Sequence, residues 1–88
     1  MSAQYACPGC GFLVFNEPPG GTFVICQICG WEDDNVQLSD PYYQGGANGI
    51  CLADHQVGVL KKYPLSIKEH GGFRRDPQWR AVAAADDD

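Results

Sequence analysis

The chain has 88 residues and a formal net charge of -5. That length is one domain, whose core is too small to be more than marginally stable without a staple such as a metal, a disulfide or a partner. No stretch reaches the roughly 18 apolar residues of a membrane span. Met1-Ser2-Ala3-Gln4 also lacks the basic start of a secretory leader, so a reducing, cytoplasmic setting is expected, where paired cysteines are more often metal ligands than disulfides.

In chain order, residues 5–31 read as two metal knuckles joined by a β-hairpin. Phe12-Leu13-Val14-Phe15 and Thr22-Phe23-Val24-Ile25 are short aromatic and β-branched runs suited to strands. Asn16-Glu17-Pro18-Pro19-Gly20-Gly21 between them is turn chemistry, because proline cannot continue a central strand and glycine tolerates positive φ. Residues 32–49 read as an irregular loop, with Asp40-Pro41 and the glycine-rich Gly45–Gly49 inside it. A helix is expected over about 51–63. Leu52, Gln56, Val59, Leu60 and Tyr63 form its stripe, Asp54 and Lys61-Lys62 suit the dipole at either end, and Pro64 stops it. Residues 64–85 form a C-terminal extension, in which Asp76-Pro77 suggests a short helix start. Asp86-Asp87-Asp88 reads as a disordered acidic tail.

The informative feature is the cysteine pattern. Cys7-Pro8-Gly9-Cys10-Gly11 and Cys26-Gln27-Ile28-Cys29-Gly30 are both C-x2-C-G, with 15 residues between the pairs. A C-x2-C turn brings two sulfurs within reach of one ion, and the following glycine can take the left-handed conformation that closes the turn. Cys7, Cys10, Cys26 and Cys29 would complete a tetrahedral S4 site for one structural Zn2+, with no open position for catalysis. The same donors accept iron, which would make a rubredoxin-like electron carrier. The expected fold is therefore a small zinc-stabilised α+β unit: zinc-ribbon or rubredoxin-like knuckles on a β-hairpin, then one main helix. Cys51 stands alone at the helix start and reads as a partly buried, inert thiol. His55 and His70 have no ligand spacing and read as surface or packing residues.

An ordered set of residues adds to this reading: Cys7-Pro8-x-Cys10-Gly11, Glu17-Pro18-Pro19-Gly20, Ile25-Cys26-x-x-Cys29-x-Trp31-Glu32-Asp33-Asp34, Asp40-Pro41 and Gly45-Gly46-Ala47-Asn48. Over about residues 5–63 the chain resembles the bacterial cysteine-rich CPCC family of small proteins. The resemblance implies a zinc-ribbon-like fold and a bacterial cytoplasmic origin, but no activity. Gly9 stands where the family's middle cysteine would be, and Cys51 where members usually carry a serine at the helix start.

Charge is segregated. Residues 1–60 contain Glu17, Glu32, Asp33, Asp34, Asp40 and Asp54 but no Lys or Arg, whereas all six basic residues lie between Lys61 and Arg80. An acidic ribbon repels phosphate and attracts basic surfaces. The expectation is a non-enzymatic protein-interaction module with a basic protein partner, one version being an immunity-like or antitoxin-like inhibitor of a basic enzyme. Trp31, Glu32, Asp33, Asp34, Tyr42 and Tyr43 are its candidate partner contacts, although Trp31 also suits packing against the hairpin. Nucleic-acid binding would have to use the basic 61–80 segment, with Phe73 and Trp79 stacking on bases. No nucleophile–base pair can be assembled from one spare cysteine and two unpaired histidines, so no catalytic residue is expected.

Overall fold

The computed structural model describes residues 4–82. Its elements are β1 (Tyr5–Ala6), β2 (Leu13–Phe15), α1 (Asn35–Ser39), α2 (Leu52–Lys62), β3 (Glu69–His70) and β4 (Phe73–Arg74). This is a small α+β fold with two two-stranded antiparallel sheets, β1–β2 and β3–β4, and one main helix.

The first sheet wraps the first cysteine pair. Tyr5 faces Phe15 and Ala6 faces Leu13, and Cys7 N–H donates to the Phe12 carbonyl at 3.0 Å. The expected hairpin between Phe12–Phe15 and Thr22–Ile25 is therefore corrected: each run pairs with the chain flanking its own knuckle. Around the second pair, Phe23 N–H donates to Asp33 O, Asp33 N–H to Val24 O and Cys26 N–H to Trp31 O, each at 2.9–3.0 Å. Ile25 bridges Glu32. Tyr5–Ala6, closer to Leu13–Phe15 in sequence, takes the place beside that strand.

α2 forms where the apolar stripe places it, and it buries Leu52, Ala53, Gln56 and Val59. Burying Leu52 and Val59 contributes about 1.5–3 kcal/mol each. Cys51 is its N-cap and is itself buried: its sulfur accepts from Asp54 N–H at 3.5 Å.

Two segments differ from expectation. The 32–49 loop holds the short helix α1, capped by Asp34, whose Oδ1 accepts from the Val36 and Gln37 amides at 2.8 and 3.2 Å. Asp40-Pro41 confines it to one turn and a little more. The short helix expected after Asp76 does not form. Asp76 instead caps a single turn, accepting from Gln78 N–H through its carboxylate and from Trp79 N–H through its carbonyl. The tail at 86–88 lies outside the described residues.

The C-terminal extension is part of the body. β3 and β4 turn through Gly71-Gly72, both at positive φ (59° and 86°), as a two-residue hairpin requires. The chain then runs back across the first knuckle. Phe12 bridges Arg75, and Asp76 N–H donates to Gly11 O at 2.8 Å. Trp79 Nε1 donates to Pro8 O at 3.1 Å, and Val82 N–H donates to the Gln56 side chain at 2.8 Å. The core joins Cys7, Cys10, Phe12, Val14, Phe15, Cys26 and Trp31 to Leu52 and Val59. No helix among the described residues is long and apolar enough to cross a membrane.

Candidate metal centre

Each knuckle is a turn closed by a glycine. Gly11 N–H bonds back to Cys7 O at 2.8 Å and Gly30 N–H to Cys26 O at 3.0 Å, with φ of 82° and 80°. These turns aim four sulfurs at one point. The Sγ atoms of Cys7, Cys10, Cys26 and Cys29 all lie within 4.8 Å of one another, the Cys7–Cys29 and Cys10–Cys26 pairs at 3.7 Å. Sulfurs about 2.3 Å from a central ion form a tetrahedron with edges of about 3.8 Å. The donor set fits one tetrahedrally coordinated metal ion, and all five cysteines are unbridged thiols.

Crowding makes the cluster a poor home for protons alone. Hydrogen bonding to Cys10, then to Cys26 and Cys29, pushes the Cys7 thiol far up, and bonding to Cys26 chiefly pushes Cys10 up. Hydrogen bonding to Cys10 chiefly pulls Cys26 down to about 7 and draws Cys29 lower still, with His55 contributing at Cys29. A cation removes that conflict by taking all four sulfurs as thiolates.

Support for the cysteines comes from two sources. Backbone amides serve the first cysteine of each pair: Gly9 N–H reaches Cys7 Sγ at 3.3 Å, and the Ile28 and Cys29 amides reach Cys26 Sγ at 3.3 and 3.4 Å. Side chains from later in the sequence flank the second. Arg75 is buried, donates through Nε to Cys10 O at 2.8 Å and through Nη1 to Pro64 O and Ile67 O, and stacks on Phe12 with its guanidinium carbon 4.6 Å from the ring centroid. Burial lowers its pKa, and the Cys10 sulfur opposes that shift. His55 stands beside Cys29 and tilts against Trp31, with ring centroids 5.1 Å apart. Sequence reasoning passed over both residues, since no local spacing links a knuckle to positions 26 or 65 residues later.

The expected partner contacts divide. Trp31 and Asp33 are fully buried and Asp34 nearly so, Glu32 is half-buried, and Tyr42 and Tyr43 are exposed. Trp31, Asp33 and Asp34 make internal contacts, Trp31 in the packed place that the sequence also suited. Asp33 accepts from the Gly20 and Thr22 amides and the Thr22 hydroxyl at 2.7–2.9 Å, which fixes the 20–22 turn. Asp34 also accepts from Ala47 N–H at 2.9 Å. That bond first, and the Gln37 amide second, hold its carboxyl below the usual range. The glycine-rich loop thus supplies one of the donors to Asp34.

Gln37 and Asn48 complete this network. Buried Gln37 donates to the Tyr43 and Ile50 carbonyls at 2.9 Å and accepts from Asn48. Asn48 exchanges two 2.8 Å bonds with the backbone of Glu32. A Cβ on Gly46 would stand 2.5 Å from Gln37, so glycine is needed there for close approach. The Trp31–Asp34 and Gly45–Asn48 motifs are therefore scaffolding for the second knuckle.

Fold and cluster together define a small α+β protein built round a four-cysteine site able to hold a metal ion. A family model for cysteine-rich CPCC proteins matches residues 5–79, and the chain belongs to that family. The match runs past residue 63, where the sequence likeness was expected to end, and takes in Arg75 and Trp79. No curated protein matches the chain. Gly9 accounts for the departure from the family's name: a Cβ there would stand 2.9 Å from the His55 ring and 3.1 Å from Cys29 Sγ, in space this chain gives to His55.

Proposed function

We propose that this is a structural-zinc protein without enzymatic activity that works by contacting another protein through its second knuckle. The observation that carries the reading is the strip Phe23-Val24-Ile25, which is 60%, 46% and 59% exposed beside the metal cluster. Phe23 is held at φ 59°, a left-handed conformation that costs a bulky residue about 1–2 kcal/mol. Such strain is sustained by the Asp33 bonds on either side of it. A rigid, presented aromatic is the usual anchor of an interface.

The surroundings favour a basic partner. Glu17 and Asp40 are exposed, Glu32 is half-buried, and residues 1–60 contain no Lys or Arg. An inhibitor of a basic enzyme is one form this activity could take. Nucleic-acid binding is less well supported, because Arg75 is buried and Trp79 packs over Gly11. Four thiolates with no open position suit a structural role, in which zinc is the common ion.

Native mass spectrometry of protein purified under reducing conditions tests the metal. One zinc per chain, lost in Cys26→Ser, supports the reading; iron moves it to electron transfer. For the contact, a Phe23→Ala/Ile25→Ser variant that keeps its metal should lose a binding partner that the parent captures. Equal capture by both would reject the second knuckle as the contact surface.

A further inference from the structure

Three buried nitrogens among the described residues have no hydrogen-bond partner: Trp31 Nε1, His55 Nε2 and Arg75 Nη2. Burying an N–H with no acceptor costs about 1–3 kcal/mol, so each needs an explanation. For His55 the surroundings supply one. The ring edge carrying Nε2 and the Cys29 sulfur close on the same point: the empty Cβ position of Gly9 lies 2.9 Å from His55 Cδ2 and 3.1 Å from Cys29 Sγ. Trp31 packs on the ring from one side, and α2 fixes its backbone through His55 N–H to Cys51 O at 3.0 Å. The ring has been given this place, since any side chain at Gly9 would displace it.

Cys29, like Cys10, receives no backbone amide at its sulfur. It is the half-buried member of an otherwise buried set, and the backbone amides at the cluster reach Cys7 and Cys26 instead. Four thiolates on one dication carry a net charge of about -2, which N–H donors at sulfur disperse.

We propose that His55 is the outer hydrogen-bond donor of the metal centre, its Nε2–H directed at the Cys29 thiolate so that α2 helps to hold the ion. This rests on the metal reading above. The donor is the ring tautomer that carries a proton on Nε2. The bond shields the one ligand that solutes can reach, because Cys29 and His55 line a cleft of about 260 Å3 together with Ile28, Ile50, Val59 and Tyr63.

The first test uses the folded protein loaded with cadmium-113 and labelled with nitrogen-15. An Nε2–H proton on His55 that exchanges slowly and shows a through-bond coupling to the cadmium supports the proposal. A proton on Nδ1 alone, or no coupling, overturns it. Failure of the chain to take up any metal would instead sink the metal reading itself.

The second test maps alkylation of the zinc-loaded protein by iodoacetamide, cysteine by cysteine. In His55→Ala, Cys29 should react about 10-fold or more faster while the other three ligands keep their rates, a size typical of losing an outer partner of a metal ligand. His55→Gln, which keeps an N–H donor, should recover part of the protection. Val59→Ala enlarges the same cleft and leaves the donor in place. If it accelerates Cys29 as much as His55→Ala does, access rather than a hydrogen bond protects the sulfur and the proposal fails. Equal acceleration of all four cysteines in His55→Ala overturns it as well.

Discussion

The two knuckles have almost the same sequence and opposite surroundings. Around the first, Cys7, Cys10, Phe12, Val14 and Phe15 are buried, and a strand pair, Arg75 and Trp79 cover the turn. Around the second, Phe23, Val24 and Ile25 face solvent, Cys29 is half-buried, and support comes from the hydrogen-bonded Asp33, Asp34, Gln37 and Asn48. A C-x2-C-G turn thus specifies where its sulfurs go but not whether it faces inwards. The later chain decides that: an apolar and cationic cover buries one knuckle, and a polar scaffold leaves the other facing solvent.

The shared dependence of both knuckles on the ion should give the largest effect. Chelating the metal, or Cys26→Ser, removes a contribution of about 10–16 kcal/mol in small zinc peptides, which exceeds the usual stability of a domain. Loss of cooperative thermal unfolding by circular dichroism is the expected outcome; a retained transition would show that the covers hold the fold alone. Metal retention should also fall as pH falls. The empty cluster keeps protons on Cys7 and Cys10, whose thiols are pushed up, while the filled one holds none, so binding releases protons and acid reverses it. Chelator competition over a pH series checks the sign.

Next comes the cover of the first knuckle. Arg75→Ala leaves the Cys10 and Ile67 carbonyls without their donor, takes one of two donors from the Pro64 carbonyl and uncovers Phe12. A loss of about 3 kcal/mol is expected in denaturant unfolding of the metal-loaded protein. Glycine substitutions compare the knuckles directly. Gly11→Ala and Gly30→Ala both force alanine to a φ near 80°, costing about 1–2 kcal/mol. At Gly11 the new Cβ would also stand 2.6 Å from the Trp79 ring, whereas at Gly30 nothing lies within 4 Å. Overpacking adds about 1–3 kcal/mol at Gly11 only. Equal losses at the two sites would mean that Trp79 gives way freely.

The smallest effect should carry the opposite sign. Phe23→Gly relieves a left-handed aromatic, offset by the greater freedom of glycine in the unfolded chain, and should raise stability by about 0.5–1 kcal/mol. A gain in stability with loss of partner capture would show that the second knuckle holds strain for contact. A loss of stability would show that Phe23 packs in solution.

What could be read in the sequence was local. The four ligands follow from two short turns, and α2 from one apolar stripe ended by Pro64. The pairing of Phe12–Phe15 was misread because a strand run does not say which neighbour it will take, and here Tyr5–Ala6 competes at shorter range. The one-turn helix α1 had a signal, Asp34 ahead of it and Pro41 behind, but no apolar period. The inward placement of Asp33 and Asp34 had none, since a buried carboxylate is recognised by donors at Gly20, Thr22 and Ala47 that only the fold brings close. Arg75 and Trp79, with their partners at Cys10 and Pro8, depend on separations of 65 and 71 residues.

Those separations carry a consequence for biosynthesis. All four ligands have been translated by Cys29, so an emerging chain can capture its ion early. The arginine and tryptophan that cover Phe12 and the first turn follow some 45 to 50 residues later. Until they arrive, a loaded nascent chain holds the first turn without its Arg75 and Trp79 contacts.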